Sequence, residues 1–195
     1  MTIAESIEKR ARQLCDVAER IWEYAEIAFE EKKSAQLLCD VLEREGFHVA
    51  REAGGIKTAF VAEYGSGGPV IGLCAEYDAL EGLSQMVDVR KHPRVEGAPG
   101  HGCAHNLLGA GSLAAALAVK DVLALAGQPG TIRLFGTPAE EVLLGKPLMV
   151  RAGLFEGTDV MIGWHPDHFN AVMESRTTAM CSVKFHYHGV AAHAA

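Results

Sequence analysis

The stretch Val70-Ile71-Gly72-Leu73-Cys74-Ala75-Glu76-Tyr77-Asp78 decides the fold class. Its first six residues are apolar throughout, which suits a central strand buried on both faces. The run leads directly into two carboxylates. Acids at the C-terminal end of a buried strand are costly unless a positive group meets them; the plain alternative is a solvated strand end. Upstream, Thr58 to Tyr64 reads as a second strand, and Gly65-Ser66-Gly67-Gly68 between the two predicts a hairpin. Before these, Thr2-x-x-Glu5 forms a capping box that opens one long amphipathic helix to about Ala28. Ile3, Ile7, Ala11, Leu14, Ala18, Ile21 and Trp22 share one face at helical spacing. A second helix is expected from Ser34 to Gly46, and a short strand over Phe47 to Ala50.

Downstream, residues 81 to 100 show no periodicity and read as a loop long enough to be functional. The loop delivers Gly100-His101-Gly102-Cys103-Ala104-His105-Asn106-Leu107. Cys103 and His105 stand two apart where loop becomes helix, so both can face one ion if the backbone there is not yet helical. Asn106 is the expected N-cap of an Ala-rich helix that reaches about Ala126. Thr131 to Phe135 reads as a strand ending in Gly136-Thr137-Pro138-Ala139-Glu140-Glu141. Val142 to Ala152 reads as a short helix closed by Gly153, and Asp159 to Gly163 as a strand ending in Trp164-His165-Pro166. Thr177 to Tyr187 alternates like a half-exposed strand. The whole is an α/β pattern: a mixed central sheet flanked by helices.

Composition bounds the function. The chain has 195 residues, 18 basic and 25 acidic, with net charge −7 and no basic stripe, which argues against a nucleic-acid partner. No apolar run is expected to span a bilayer, since Lys120 and Asp121 interrupt the closest candidate. Five widely spaced cysteines, an odd count, point to a reducing compartment, the cytoplasm.

Strand ends and the loops after them thus carry Glu76/Asp78, Glu140/Glu141 and His165, with Cys103 and His105 at a helix start in the same layer. Ligand sites in α/β sheets lie beyond strand C-termini. The mix of S, N and O ligands suits zinc, or another divalent metal such as manganese or cobalt. Glu141 can bind while Glu140 acts as base toward water on the metal. A thiol hydrolase with Cys103 as nucleophile and His105 or His165 as base is the competing chemistry.

Five motifs in order carry a resemblance: Glu76-Tyr77-Asp78-Ala79-Leu80, Gly100 to Gly109, Pro138-Ala139-Glu140-Glu141, Trp164-His165-Pro166 and Gly189-Val190-Ala191-Ala192-His193-Ala194. From about residue 10 onward the chain resembles the M20 family of metallo-aminoacylases and carboxypeptidases, in the branch of aminobenzoyl-glutamate hydrolases and M20-domain dipeptidases. The resemblance implies a zinc-exopeptidase-like catalytic domain over residues 1–178 and the incomplete start of a lid and dimerisation domain over 179–195. It implies Cys103, His105, Glu141 and His165 as metal ligands, with two ions, zinc or manganese, in the complete enzyme. Glu140 would be the general base and Asp78 would orient a ligand. His193 would reach the active site, often of a partner subunit in a homodimer, and stabilise the oxyanion. Glu76 stands where other branches carry a metal-binding histidine. The implied reaction is hydrolysis of an amide in an N-acyl amino acid, an aminobenzoyl-glutamate or a dipeptide, without membrane or nucleic-acid partners. The alternative is an incomplete fragment acting only as a metal-binding or assembly subunit. The family usually has glycine where this chain has Ala104, so a strained backbone is expected there.

Overall fold

A computed structural model describes residues 1–172, 178, 179, 181, 183, 185, 186 and 188–190. Of the strand expected over Thr177 to Tyr187, residues 178, 179, 181, 183, 185 and 186 are described and none of them is in a strand; the rest of that stretch, about half of the lid segment 179–195, and His193 lie outside the described residues.

The chain opens with α1 (Ile3–Glu8) and α2 (Ala11–Tyr24). The Thr2/Glu5 capping box is formed in both directions. The single long helix expected here is broken at Lys9-Arg10. The break follows from what is buried. Leu14, Val17, Ala18 and Ile21 enter the core, but Ile3 and Ile7 stay exposed while Ser6 and Arg10 are buried. Arg10 pairs with Asp121 and Glu45, and Ser6 Oγ donates to Asp121 at 2.7 Å. Polar contacts therefore set the rotation of α1 and override its apolar stripe.

Next come α3 (Lys32–Arg44), β1 (His48–Arg51), β2 (Phe60–Ser66), β3 (Val70–Ala75), α4 (His105–Ala126), β4 (Gly130–Gly136), α5 (Gly145–Arg151) and β5 (Val160–Ile162). The sheet order is β1-β2-β4-β3-β5. The predicted hairpin between β2 and β3 does not form. Instead β4 lies between them, antiparallel to β2 and parallel to β3. β4 is the most thoroughly buried strand, with six of its seven residues buried, so the central place in the sheet is its own. Arg133 of β4 also pairs with Glu63 of β2 across the join.

Alternation along β4 divides the core. Ile132 and Leu134 point into the larger cluster with α2, α3 and α4, whereas Phe135 joins Ala53, Ala59 and Met149 on the other face. α4 is apolar and long enough, by length and composition alone, to cross a membrane, contrary to the sequence expectation. Leu108, Leu113, Ala116 and Leu117 are nonetheless buried in the main core, as in the central helix of a packed domain.

Candidate metal centre

β3, β4 and β5 run parallel, in register Ala75↔Gly136 and Leu73↔Ile162. Their C-terminal ends therefore open on one edge of the sheet, and the segments after them converge. Thr137 holds the first two ends together: its N–H donates to the Ala75 carbonyl at 2.8 Å and its hydroxyl does so at 3.1 Å. Trp164 fixes the third. Its indole N–H donates to Ser112 Oγ at 3.1 Å, and that hydroxyl donates to the Cys74 carbonyl at 2.6 Å.

α4 comes close because residue 109 is glycine. A Cβ there would lie 2.8 Å from the Glu76 carbonyl oxygen. Asn106 is not the N-cap. Ala104 occupies that position without a side-chain cap, and Asn106 Nδ2, inside the first turn, donates to the Ala18 carbonyl at 3.3 Å. His101 Nε2 lies 3.1 Å from the Ile21 carbonyl, so the loop and the helix start are both tied to α2. Burial pulls the His101 imidazole down to about 4, so it is neutral near pH 7.

Ala104 lies between the two candidate ligands at φ 59°, ψ 29°, the left-handed region. That turn lets Cys103 and His105 face one centre despite their i, i+2 spacing. A methyl group there costs about 1–2 kcal/mol. Ala104→Gly is therefore expected to raise unfolding stability by about 0.5–1 kcal/mol after the added freedom of the unfolded chain. Urea denaturation of both forms measures this, and an unchanged or lower midpoint would contradict it.

The centre is built around His105, which is fully buried. Its Nδ1 lies 3.0 Å from Asp78 Oδ1 and 3.1 Å from the Asp78 carbonyl, so Nδ1 is the protonated nitrogen and Nε2 is left with a free lone pair. Asp78 Oδ2 accepts the Glu141 backbone N–H at 2.9 Å. One buried carboxylate thus orients the histidine and anchors the Glu140-Glu141 turn. His165 repeats the pattern. Its Nδ1 is 2.8 Å from the Pro166 carbonyl, and its Nε2 is 3.3 Å from Cys103 Sγ.

Among the described residues, two groups each bring their ligand atoms within 4.8 Å of one another: Cys103, His105 and His165, and Glu76, His105 and Glu140. Glu140 Oε2 is 3.6 Å from His105 Nε2, and Glu141 Oε1 is 3.6 Å from Nδ1. His105 Nε2, Glu76 Oε2 and Glu141 Oε1 are buried with no hydrogen-bond partner among the described residues. His105 Nε2 and Glu76 Oε2 approach to 3.2 Å, but not in hydrogen-bond geometry. Orphaned buried acceptors are expensive. Three of them facing one centre, with a thiol and a second imidazole beside them, fit a divalent cation.

The charge balance agrees. Burial, and then Glu141 and Glu140, push the Cys103 thiol up to about 11. Burial also raises the Glu141 carboxyl. Burial opposes the charge on His105, but Asp78, Glu76 and Glu141 together outweigh it and raise that imidazole. The protein groups alone thus carry excess negative charge in a poorly solvated place, which a cation relieves.

Two participants were not legible in the sequence. Glu31 is completely buried, and its Oε1 accepts the Ala139 N–H at 2.8 Å. Burial raises its carboxyl above the ordinary range. It pins the turn before Glu140, where Ala139 sits at φ 55°. Lys146 reaches across from α5 to Glu76 Oε1. The one signal for it is local: a lysine in the first turn of a helix, where the dipole disfavours a cation. Beside Glu141 opens a cleft of about 720 Å³, walled by Ile27, Phe29, Leu80, Val142, Leu143 and Leu144.

Relatives share this arrangement of chain. No family model matches the chain. A p-aminobenzoyl-glutamate hydrolase subunit of Escherichia coli is 45% identical over 194 residues, covering 99% of this chain and 40% of that protein. The Xaa-Arg dipeptidase of mouse is 34% identical over 205 residues, covering 98% and 43%. This chain therefore spans about two fifths of the length of the curated relatives it matches. Among solved structures, a dinuclear metal-binding peptidase of the M20 family from Bacillus subtilis superposes with TM-score 0.71 at 25% identity, covering 82% of this chain and 44% of that one. An aminobenzoyl-glutamate utilization protein from Klebsiella pneumoniae shares the fold with TM-score 0.61 at 20% identity, covering 85% and 46%. With kinship along nearly its whole length and the sheet of an M20 catalytic domain, the chain belongs to the M20 family of peptidases and amidohydrolases.

Proposed function

We propose that this chain carries the metal-binding half of a hydrolase that cleaves an amide bond in an N-acyl amino acid, an aminobenzoyl-glutamate-like compound or a dipeptide. The observation that carries the reading is the set of buried, unpartnered acceptors, His105 Nε2, Glu76 Oε2 and Glu141 Oε1, converging beside Cys103 and His165. Cys103, His105, Glu141 and His165 would hold the ion, zinc or manganese; the whole protein would hold two. When bound, such an ion supplies Lewis acidity toward water and the scissile carbonyl.

The protein's own residues do the rest. Asp78 keeps the proton on His105 Nδ1 and so holds Nε2 toward the ion. Glu140, 26% exposed at its side chain and 3.6 Å from His105 Nε2, accepts a proton from water and returns it to the leaving amine. The cleft beside Glu141 offers its apolar walls to the acyl or side-chain portion of a substrate. His193 would act on the oxyanion, its partner being a second copy in a homodimer. The free cysteines suit a reducing, cytoplasmic setting.

A thiol nucleophile is disfavoured, because burial and two glutamates hold the Cys103 thiol protonated at neutral pH. The second reading is a metal-binding or assembly subunit without turnover. It draws on β5, an edge strand whose Val160, Met161 and Ile162 are all exposed, a surface suited to pairing with further chain.

Elemental analysis of the purified chain is the test. Near-stoichiometric zinc or manganese is expected, with loss in the Cys103→Ser, His165→Ala double variant. Folded protein free of metal would sink the hydrolase reading. Bound metal without hydrolysis of aminobenzoyl-glutamate or dipeptides would favour the assembly subunit.

A further inference from the structure

Glu31 stands at the N-cap of α3, where an acidic side chain ordinarily accepts the free N–H groups of its own helix. Here it makes no such cap. Glu26 takes that place: its carboxylate accepts the Lys33 N–H at 3.0 Å, and the Ser34 N–H and hydroxyl at 2.9 Å each. Glu31 is instead completely buried. Helix stability does not account for this placement, because a carboxylate on the cap would serve the helix without being taken out of water.

Its target is a turn in the left-handed region. Ala139 is fully buried at φ 55°, a backbone that disfavours a residue with a Cβ. Glu31 Oε1 accepts the Ala139 N–H at 2.8 Å, and the Ala139 carbonyl accepts the Leu144 and Gly145 N–H groups at 3.3 and 3.4 Å. Two residues on, Asp78 Oδ2 accepts the Glu141 N–H. Glu140 is thus bracketed, with a buried carboxylate on the N–H at either side.

The same corner reaches the other acidic segment. Tyr77, between Glu76 and Asp78, donates its hydroxyl to the Thr58 carbonyl at 2.6 Å. Burial raises the Glu31 carboxyl, while its own N–H, the Ala139 N–H and the Thr58 hydroxyl oppose the rise, so Thr58 stands beside both segments. Glu31 Oε2 and Thr58 Oγ1 are buried with no hydrogen-bond partner among the described residues, a cost that apolar side chains would avoid.

We propose that Glu31 is a positioning residue of the metal centre: its carboxylate holds the left-handed turn at Ala139, so that Glu140 and Glu141 reach His105 without rearrangement. The inference rests on the metal-centre reading and refines it. Glu31 acts through the Ala139 N–H rather than on a ligand atom, as supporting partners of metal sites do at one remove.

The test compares variants of the full chain by Zn²⁺ titration against a chromophoric chelator. Circular dichroism and thermal melting check folding, and NMR follows amide exchange at Ala139 in the metal-free protein. Glu31→Met keeps the length of the side chain and removes the acceptor. Folded Glu31→Met is expected to bind Zn²⁺ about 10–100-fold more weakly than wild type, and its Ala139 amide to exchange faster. Glu31→Gln keeps an oxygen for the Ala139 N–H and should bind nearly as wild type. Leu38→Val, a core change in the same helix, should lower the melting temperature and leave the affinity unchanged. Wild-type affinity or unchanged Ala139 exchange in folded Glu31→Met would overturn the inference and leave the metal-centre reading intact. So would a Glu31→Gln as weak as Glu31→Met, or an equal loss in Leu38→Val. Folded wild type that binds no Zn²⁺ would overturn both. Should Glu31→Met fail to fold, Glu31→Ser, a good helix cap too short to reach Ala139, carries the same comparison.

Discussion

Glu140→Gln is expected to lower turnover by about 10²–10⁴-fold while the metal content stays at the wild-type level. The neighbouring change, Glu141→Gln, is expected to lose the ion. The two glutamates are adjacent in sequence, yet they meet the site differently. The Glu141 N–H is held by Asp78, and Glu141 Oε1 is buried with no hydrogen-bond partner among the described residues, as suits a metal ligand. Glu140 is the more exposed of the two side chains, 26% against 15%, so water and substrate can reach it. It also falls among the atoms grouped with Glu76 and His105, which makes a ligand role its natural rival. An amide in place of the carboxylate preserves shape and removes the proton acceptor. Elemental analysis and a hydrolysis assay on the same preparations separate the roles. If Glu140→Gln loses the metal and Glu141→Gln keeps it, the two assignments are reversed.

Arg10→Met is expected to destabilise the fold by about 3–5 kcal/mol, the usual cost of removing one partner from a buried ion pair. For a chain of this size that is a fall in melting temperature on the order of 10 °C. The guanidinium reaches Asp121 at 2.6 and 3.2 Å, Glu45 at 3.0 and 3.3 Å, and the Ser6 carbonyl and hydroxyl at 3.2 and 2.9 Å. Methionine preserves much of the stem, so the loss is electrostatic. Lys120 still meets Glu45 at 2.7 Å, but Asp121, 11% exposed, is left with Ser6 and a Lys120 contact at 3.5 Å.

The same cluster gives the fold an acid limit. Burial alone would raise the Asp121 carboxyl, but hydrogen bonds from Arg10 and Ser6 outweigh it and hold it at about 2, against an ordinary value of 3.8. A depressed folded-state value means stability that is fully present above the unfolded value and lost as pH falls through the folded one. Wild-type stability should therefore fall between about pH 4 and pH 2 through this group. Arg10→Met should show a smaller fall over that range, because its Asp121 has lost the group that favours ionisation. Urea midpoints measured across the range test both statements. Equal slopes for the two proteins would show that the cluster does not set the acid limit.

Arg10 also marks where sequence reasoning stops. The apolar spacing from Ile3 to Trp22 is locally that of one helix, and the capping box that opens it is real. The break at Lys9-Arg10 depends on Asp121 and Glu45, 111 and 35 residues away in the chain. The hairpin expectation failed for the same kind of reason. β2 and β3 are neighbours in sequence, with glycines between them, but β4 is the more buried strand and takes the place between the two.

The sequence by itself determined the elements and the chemistry at their ends: apolar runs long enough for strands, acids and a histidine just beyond them, and a Cys-x-His pair at a helix start. These are local properties, set by side-chain period and by the cost of placing charge next to a buried strand. Only the tertiary structure decided that Asp78 fixes the His105 tautomer, that Glu31 pins the Ala139 turn, and that Lys146 sits on Glu76. Each of those contacts joins residues far apart in the chain. They form because a buried charge must find its partner wherever the packing of the sheet and α4 brings one within reach.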